Sequence, residues 1–485
     1  MDKYPFTRAA TSGPPIALLG VPFDNITTAE TVDLIEQMVA SRLPHYLATA
    51  NVDFLVKAIH DVELRRILMD AHLVLCDGTP LVWASRLLGN PLPERVAGSD
   101  LVPLLIKIAV QKKYRVFFLG GTDVSIKKAV DKLRKEHPGL LIAGHYSPPF
   151  LPLHEMNHKE VTRRIRETKP DLLFVSFGCP KQEKWIAMHF RSIGVPVCIG
   201  VGGTIDFLAG TIKRAPHWMR KSGTEWLYRF AQEPRRLGKR YLTDLCWFSQ
   251  AIIRQWWQMH FAKMPGRARS KSSSEGQQIL RSINVTAQLD IKFVRANALL
   301  CEEMLATCRH CVLNLQDVEF VDSSGMGLLI RLQKKARITG RLLILASPSN
   351  AVRSALKLMR LHDFFTIANN QKEAEQIMET NIIPRGATKE SVSANGFSWR
   401  GEVTAANVDE VWKGTEAYIA SRAKNGELQI DLSDVPFIDS TGLGLMIRAR
   451  KVAAQVGVRI VFIGAQPNVR NVLRIARLES AFLAA

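Results

Sequence analysis

Short apolar runs alternate with amphipathic stretches along the first half of the chain. The apolar runs predict strands at 17–23, 72–77, 115–121, 140–146, 171–178 and 197–203, and residues 45–54 predict a strand that runs into a helix. Helical spacing of apolar residues predicts helices between most of them, for example Thr28–Ala40, Ser125–His137 and Lys159–Lys169. Strands and helices in alternation indicate an α/β domain with a mainly parallel sheet that is covered on both faces.

The second half of the chain repeats itself. Residues 311–331 align with residues 428–448, and eleven of the 21 aligned positions are identical. Each copy predicts a strand, a turn and then Asp-Ser-Ser/Thr-Gly at the start of a helix. Residues 350–361 match 468–478 in the same way. The repeat therefore predicts two small α/β domains.

Polar segments divide the chain into three predicted domains. We expect the first at 15–262, a Ser-rich linker at 263–278, the second domain at 279–376, a join with Pro and Gly at 377–392, and the third domain at 393–485. With 485 residues in total, three domains of ordinary size are expected.

The net charge of +20 indicates anionic partners. The segment 213–241 contains nine Lys or Arg against two Glu, with Trp and Tyr interleaved, and more aromatic residues follow up to Phe261. This composition favours an amphipathic element on an anionic lipid surface. A solvated basic helix and a nucleic-acid interface are the alternatives, and we expect no nucleic-acid partner.

The predicted location is cytoplasmic, peripheral on the inner face of the cytoplasmic membrane. No apolar run reaches the length of a membrane-spanning helix, about 18 residues, and the first residues lack the apolar core of a signal peptide. The seven cysteines are scattered. The one C-x-x-C pair, Cys308 and Cys311, has no second pair or His cluster beside it, so we expect no metal site.

The candidate chemistry starts at Asp77-Gly78, which follows the apolar run His72–Cys76 at a predicted strand end. Ligands of open α/β sheets bind at the carboxyl ends of strands, so a carboxylate there is well placed to accept a proton. The alternative is that Asp77 only caps the next helix. Other strand ends carry glycines, which admit a phosphate or sugar close to the backbone, but no complete P-loop or GxGxxG motif is present.

Ordered motifs over the first 260 residues are similar to those of the WecG/TagA/CpsF glycosyltransferases. They are Thr49-Ala-Asn51, Asp77-Gly78, Arg95-x-x-Gly98-x-Asp100, Phe118-Leu-Gly-Gly121, Gly178-x-Pro180-x-Gln182-Glu183-x-Trp185, Gly200-x-Gly-Gly-Thr-x-Asp206, Arg214-Ala-Pro216-x-Trp218, Glu225-Trp-Leu-Tyr-Arg229 and Glu233-Pro-Arg-Arg236. Pro80 departs from the Asp-Gly-x-Gly that many relatives carry. The resemblance implies a Rossmann-like, mainly parallel glycosyltransferase domain.

Such enzymes move a sugar from a UDP-sugar to a polyprenyl-diphosphate-linked saccharide in cell-surface polysaccharide synthesis, with inversion and without a metal or other cofactor. The resemblance implies Asp77 as the general base. Without a metal, arginines must stabilise the departing diphosphate. The implied substrate-binding residues are Thr49, Asn51, Arg95, Gly120, Gly121, Gln182, Gly202, Gly203, Arg229 and Arg236. Three of them have structural alternatives, because Asn51 could cap a helix, Gln182 could lie on a solvated loop and Arg236 could belong to a lipid-facing patch.

The repeated half resembles STAS domains, the fold of anti-sigma-factor antagonists. The residues that match the STAS motif are Asp322-Ser323-Ser324-Gly325 and Asp439-Ser440-Thr441-Gly442. The resemblance implies phosphorylation of Ser323 and Ser440 by a serine kinase or contact with another regulatory protein, and a phosphate at a helix N-terminus is electrostatically favoured. The alternative is that these residues only cap their helices.

Two hypotheses follow for the whole chain. The first is a membrane-associated UDP-sugar transferase whose STAS domains regulate or dock it. The second is a partner-switch regulatory protein whose first domain binds nucleotide without turnover. The joint presence of Asp77, Arg95 and Gln182 favours the enzyme.

Overall fold

The computed structural model describes most of the chain. The described residues are 13–216, 218–219, 224–261, 281–284, 287–307, 310–339, 341–362, 364–381, 397–404, 407–421, 426–476 and 478–483. We call residues 13–261 the N-terminal domain, 281–381 the first repeat unit and 397–483 the second repeat unit.

The N-terminal domain is built on a six-stranded sheet, which is parallel, as the sequence predicted. The chain begins with a hairpin of β1 (Gly13–Leu18) and β2 (Val21–Asn25). The sheet contains β3 (His45–Ala50), β4 (Leu73–Cys76), β5 (Arg115–Gly120), β6 (Leu141–Tyr146), β7 (Leu172–Ser176) and β8 (Val197–Gly200). Their order is β4-β3-β8-β7-β5-β6, with every neighbouring pair parallel.

Helices cover both faces of this sheet. They are α1 (Thr28–Ser41), α2 (Val52–His60), α3 (Val62–Asp70), α4 (Thr79–Leu87), α5 (Gly98–Lys112), α6 (Asp123–Glu136), α7 (His158–Thr168), α8 (Lys181–Ile193) and α9 (Thr204–Ala209). Successive side chains of a strand enter opposite cores: Phe117 and Leu119 lie in one cluster, Val116 and Phe118 in the other. Burial on both faces explains why these strands have nearly continuous apolar sequences.

The predicted single strand at 17–23 is wrong. The structure turns there, with positive φ at Leu19 and at Gly20 (+84°), and forms the hairpin of β1 and β2. A Cβ on Gly20 would lie 2.4 Å from the carbonyl oxygen of Met359 in the first repeat unit. Glycine is therefore required both by the turn and by a long-range contact that the local sequence does not show.

The basic appendage follows the sheet and consists of α10 (Glu225–Gln232) and α11 (Pro234–Phe261). One side of α11 is buried against α2, with Phe248 and Ile252 in the core of the N-terminal domain. Its other side exposes large apolar residues, namely Leu242, Leu245, Trp247, Ile253 and Trp257. Among the helices of the described residues, none combines the length and hydropathy that crossing a bilayer requires.

The two repeat units are small α/β domains, as predicted. The first contains β9 (Arg281–Asn284), β10 (Ala287–Leu289), α12 (Ile291–Thr307), β11 (His310–Asn314), β12 (Val318–Val321), α13 (Ser323–Ile338), β13 (Leu342–Ala346), α14 (Asn350–Leu358), β14 (Thr366–Ala368) and α15 (Gln371–Asn381). Its strands form a parallel sheet in the order β14-β13-β11-β9 and a parallel pair, β10 with β12. The helix α15 continues to Asn381 and so extends into the join that the sequence predicted at 377–392.

The central helix of the second repeat unit begins in the same way as that of the first. It contains β15 (Phe397–Arg400), α16 (Val408–Ser421), β16 (Glu427–Asp434), α17 (Ser440–Gln455), β17 (Arg459–Ile463), α18 (Pro467–Ile475) and α19 (Glu479–Phe482). Its parallel sheet has the order β15-β16-β17. Asp322 caps α13 and Asp439 caps α17, so the predicted serines Ser323 and Ser440 are the first helical residues.

Candidate active site

Asp77 lies directly after β4, at the carboxyl edge of the sheet. Its backbone N–H donates to the carbonyl of Ala50 at 2.9 Å, which fixes it beside the end of β3. The next helix, α4, has Gly78 at its N-cap position and receives no side-chain capping hydrogen bond. The alternative that Asp77 is only a helix cap therefore does not hold in the structure.

The surroundings of Asp77 raise its pKa. Burial is the largest cause, and it outweighs the lowering by the guanidinium groups of Arg95 and Arg229 and by a hydrogen bond from the Gly98 N–H; the carboxylate of Glu225 raises the pKa further. A carboxylate with a raised pKa is a better proton acceptor than a solvated one. The site thus combines a basic carboxylate with nearby cations.

Arg95 is held at the centre of a row of alternating charges. Its Nη2 lies 2.6 Å from Asp100 Oδ2 and its Nη1 lies 2.9 Å from Glu225 Oε2. Arg214 pairs with the other oxygen of Asp100 at 2.5 Å, and Arg229 lies 3.6 Å from Glu225 Oε1. Two carboxylates that bind one guanidinium from different sides fix its orientation.

Three members of this row were not among the predicted site residues: Asp100, Arg214 and Glu225. The signal was present in the motifs Arg95-x-x-Gly98-x-Asp100 and Glu225-Trp-Leu-Tyr-Arg229. The second motif spaces Glu225 and Arg229 by one helical turn, and they form an i,i+4 pair at the start of α10. The basic appendage therefore contributes side chains to the site.

Thr49 and Asn51 lie at the end of β3, next to the end of β4 that carries Asp77, but both make contacts within the protein. The Thr49 hydroxyl donates to the carbonyl of Gly200 at 2.9 Å and so joins β3 to β8. Asn51 Oδ1 accepts from the Phe54 N–H at 3.4 Å and caps α2. Asn51 therefore caps a helix, as the structural alternative predicted. A role in substrate binding stays a prediction for both residues.

Gln182 joins two of the glycine turns rather than lying on a solvated loop. Its Oε1 accepts from the N–H groups of Gly178 at 3.2 Å and Gly202 at 3.1 Å, and its Nε2 donates to Glu183 Oε1 at 2.7 Å. Burial is the main cause that raises the pKa of Glu183 to about 8, and Glu183 Oε2 lies buried without a hydrogen-bond partner. Glu183 was part of a matched motif but not a predicted site residue.

The predicted glycines lie at the carboxyl ends of β5 and β8. A Cβ on Gly120 would lie 2.4 Å from the carbonyl oxygen of Ser176, so this glycine is required by packing. Gly202 has a φ of +52° and would place a Cβ in open space. Gly203 follows it in the chain, and Gly121 lies at the end of β5 on the same edge, where a Cβ would be 3.5 Å from Ile205. Open space at a turn with left-handed backbone is compatible with close approach of a ligand.

Arg229 completes the cationic side of the site, while the position of the last predicted arginine is not described. The Arg229 guanidinium lies 4.7 Å from the centre of the Phe207 ring, at the end of the sheet that carries the glycines. The side chain of Arg236 lies outside the described residues. Within the part of the chain that the structure describes, no group of three or more His, Cys, Asp or Glu could hold a metal ion.

Comparison with known families gives three matches along the chain. Residues 16–261 match the Glycosyl transferase WecG/TagA/CpsF family, which is about half of the chain. Residues 268–374 match the STAS domain family, and residues 389–484 match a second STAS family described as Mlab, STAS domain.

Characterised relatives resemble the N-terminal domain. An N-acetylglucosaminyldiphosphoundecaprenol N-acetyl-beta-D-mannosaminyltransferase of Staphylococcus aureus strain MW2 is 34% identical over 226 residues. The alignment covers 46% of this chain and 87% of the relative. The proteins of the same name from strains NCTC 8325 and MRSA252 align with the same identity and coverage.

Proposed function

The chain belongs to the WecG/TagA/CpsF glycosyltransferase family, and from this premise we propose that it transfers a sugar from a UDP-sugar to a polyprenyl-diphosphate-linked saccharide. We further propose that the transfer inverts the anomeric centre and requires no metal ion. The observation that carries the proposal is the position of Asp77 at the carboxyl edge of the sheet, beside a row of charges that contains Arg95 and Arg229.

The carboxylate of Asp77 is the proposed general base. It accepts the proton of the acceptor hydroxyl while the hydroxyl oxygen attacks the anomeric carbon from the face opposite the diphosphate. The bond between the anomeric carbon and the diphosphate oxygen breaks, and its electron pair leaves with UDP. One base and one in-line displacement give inversion.

Arginine side chains are the proposed support of the leaving group. Negative charge develops on the diphosphate as UDP departs, and a guanidinium fixed in advance stabilises it without reorganisation. Arg95 meets this condition because Asp100 and Glu225 hold its two terminal nitrogens at 2.6 and 2.9 Å. Arg229 is the second candidate, because it acts on the same carboxylate, Asp77, from α10.

The basic appendage is the proposed membrane contact. Its helix α11 exposes Leu242, Leu245, Trp247, Ile253 and Trp257 on one side. Apolar and aromatic side chains beside basic residues favour insertion into the headgroup region of an anionic leaflet. The same appendage contributes Glu225 and Arg229 to the site, so a lipid-linked acceptor would reach Asp77 from the membrane side.

The relatives suggest the substrates with which a test should begin. Their name describes transfer of N-acetylmannosamine to N-acetylglucosaminyl-diphospho-undecaprenol. We propose an acceptor of this class and an N-acetylhexosamine donor for this chain. The two STAS domains are the proposed regulatory or docking part, with Ser323 and Ser440 as the candidate phosphorylation sites.

The decisive experiment uses purified full-length protein and a short-chain polyprenyl-diphosphate N-acetylglucosamine acceptor. A panel of radiolabelled UDP-sugars is offered with and without EDTA, and the anomeric configuration of the product is determined by NMR. We expect one donor to be transferred with inversion and without loss of rate in EDTA. Nucleotide binding without transfer from any donor would favour the regulatory alternative, and a strict requirement for magnesium would refute the arginine mechanism.

A further inference from the structure

Residues 88–96 connect the first repeat unit to the candidate active site, and we call them the Arg95 segment. The segment leaves α4 at Gly89, whose φ of +79° turns the chain out of the helix. It contains Pro91 and Pro93, whose rings fix the φ angle, and it ends one residue after Arg95. A short segment with two prolines has few conformations, so a contact at one end restricts the other end.

Asn90, near the start of the segment, binds the Asp-Ser turn of the first repeat unit. Its Nδ2 donates to Ser323 Oγ at 2.7 Å and to Asp322 Oδ2 at 3.3 Å, and all three side chains are buried. Asp322 is itself fixed, because its Oδ1 accepts from the N–H groups of Ser324 and Gly325, each at 2.8 Å. Asn90 is therefore attached to the start of a capped, buried helix.

The first repeat unit is in turn fixed on the N-terminal domain by apolar packing. Ala17 and Met69 of the N-terminal domain lie in the cluster that forms the core of the first repeat unit. Phe320 on β12 packs in the opposite direction, against the main core of the N-terminal domain. The backbone of Gly327 on α13 lies so close to β1 that a Cβ there would be 1.9 Å from the Pro15 carbonyl oxygen. The turn that holds Asn90 thus belongs to a continuous packed interior.

The other end of the segment is bound to the strand that carries the proposed base. The Leu92 N–H donates to Ser85 Oγ at 2.9 Å, and the Leu92 side chain is buried. The Val96 N–H donates at 2.8 Å to the carbonyl of Cys76, the last residue of β4. Arg95 lies between these two fixed residues. Its backbone position therefore depends on how the whole segment is held.

The second repeat unit makes its corresponding contact elsewhere. The hydroxyl of Ser440, which is equivalent to Ser323, donates to Glu63 Oε2 on α3 at 2.8 Å. Ser440 keeps part of its surface exposed, whereas Ser323 is fully buried. The two units therefore have different relations to the N-terminal domain, and it is the first that contacts the Arg95 segment.

From these contacts we infer that Asn90 is a positioning residue and that the first repeat unit is an integral part of the candidate active site, because it holds the segment that carries Arg95. The inference rests on the proposed role of Arg95 at the departing diphosphate. Asp100 and Glu225 orient the guanidinium, and Asn90 fixes the backbone from which the side chain extends. A cation that is in place before the donor binds stabilises the leaving group without reorganisation.

The test uses full-length Asn90→Asp, which places a carboxylate opposite Asp322 in a buried contact. The two carboxylates repel each other, and the hydrogen bond from Asn90 to Asp322 is lost. We expect the Kd of UDP, measured by calorimetry, to rise about tenfold or more, and amide exchange in a peptide covering 88–97 to accelerate by a similar factor.

The matched control is Asn157→Asp, the same substitution at the exposed N-cap of α7. Aspartate caps a helix as well as asparagine does, so this variant adds the same charge without removing the cap. We expect its Kd for UDP and its exchange in 88–97 to equal those of the unmodified chain.

Two further measurements separate positioning from unfolding. Partial unfolding lowers the number of UDP molecules bound per chain and leaves their Kd unchanged, whereas a displaced Arg95 raises the Kd at constant stoichiometry. Combining Asn90→Asp with Asp322→Asn removes the repulsion, and the new amide both caps α13 and donates to the carboxylate. The recovery should be partial, because the Ile291 N–H, which donates to Asp322 Oδ2 at 3.1 Å, loses its acceptor.

Three results would overturn the inference: an unchanged Kd in Asn90→Asp, a lower stoichiometry at constant Kd, or no recovery of affinity in the double variant. An unmodified chain that binds no UDP would contradict the proposed function instead. Amide exchange then decides the inference: acceleration limited to 88–97 supports the link between Asn90 and the Arg95 segment, and unchanged exchange overturns it.

Discussion

Nη1 of Arg95 lies 2.9 Å from Oε2 of Glu225, although 130 positions separate the two residues in the chain. Glu225 is the first residue of α10, and Arg95 precedes α5 at the edge of the sheet. The basic appendage is thus connected to the sheet at the point where Asp77 lies. The proposed membrane contact and the proposed active site are therefore joined by one pair of side chains.

Arg95→Lys is expected to weaken use of the donor. Lysine keeps the positive charge but cannot hold Asp100 and Glu225 with two separate nitrogens in a fixed plane. We expect a fall in kcat/KM for the UDP-sugar of about 10- to 100-fold. The control is Arg86→Lys, at an exposed position on α4. Equal kinetics in the two variants would remove Arg95 from the site.

Asp77→Asn is expected to lower kcat by about 10²- to 10⁴-fold and to leave the Kd of the UDP-sugar nearly unchanged. The reason is that the amide cannot accept the proton. Calorimetry measures donor binding, and the radiolabelled assay measures kcat. Asp123→Asn, at an exposed position on α6, is the control. Full activity in Asp77→Asn would show that another group is the base.

The same assignment gives a pH dependence. Asp77 must be ionised to act as a base, so kcat/KM is expected to fall as the pH drops through its pKa. Since burial raises that pKa, the acid limb should lie above the ordinary aspartate value of 3.8. A rate that stays constant down to that value would contradict the electrostatic surroundings described for Asp77.

Removing apolar side chains from α11 is expected to weaken membrane binding. Leu245→Ser together with Trp257→Ser removes two side chains that are exposed in the structure, and each fully inserted side chain contributes about 1.5–3 kcal/mol. Cosedimentation with anionic vesicles should therefore fall about tenfold or more. Leu299→Ser, at an exposed leucine on α12 outside the appendage, is the control. Equal losses in both would indicate a general change in solubility.

The internal repeat supplies a matched pair of glycines that tests how closely the first repeat unit packs against β1. Gly327→Ala places a methyl group 1.9 Å from the Pro15 carbonyl oxygen, whereas Gly444→Ala, at the equivalent position of the second repeat unit, meets nothing within 4 Å. Overpacking should cost Gly327→Ala about 1–3 kcal/mol. Gly444→Ala should be neutral or more stable by up to about 1 kcal/mol, because alanine favours helix. Urea unfolding measures both, and equal midpoints would refute the close junction.

Glu183→Gln is expected to flatten the dependence of stability on pH. Burial is the main cause that raises the pKa of Glu183 from 4.5 to about 8, so the folded state holds its proton longer than the unfolded state does. The stability associated with this proton is complete below about 4.5 and is lost as the pH rises through about 8. Tm should fall over this range in the unmodified chain and much less in the variant. The exposed Glu167→Gln should leave the slope unchanged.

Short-range sequence patterns were sufficient to predict strands and helix starts, because each of these leaves a signal within a few neighbouring residues. The apolar runs located the six strands of the main sheet, and the helix predicted at Thr28–Ala40 is α1, Thr28–Ser41. The repeat located both Asp-Ser helix starts. The position of Asp77 directly after a strand was predictable, because a charged residue after an apolar run is visible in the sequence itself.

The sequence by itself determined the fold class, the repeat and the strand end that carries Asp77, because burial on both faces of a sheet and helix capping leave periodic or local signals. Only the tertiary structure decided three other features: the hairpin of β1 and β2, the ion pairs of Arg95 with Asp100 and Glu225, and the hydrogen bond from Ser440 to Glu63. Each of these includes a contact between residues far apart in the chain: Gly20 of the hairpin packs against Met359, Glu225 binds Arg95, and Ser440 and Glu63 are 377 positions apart. Such contacts impose no spacing on the sequence, and only packing brings the two side chains together.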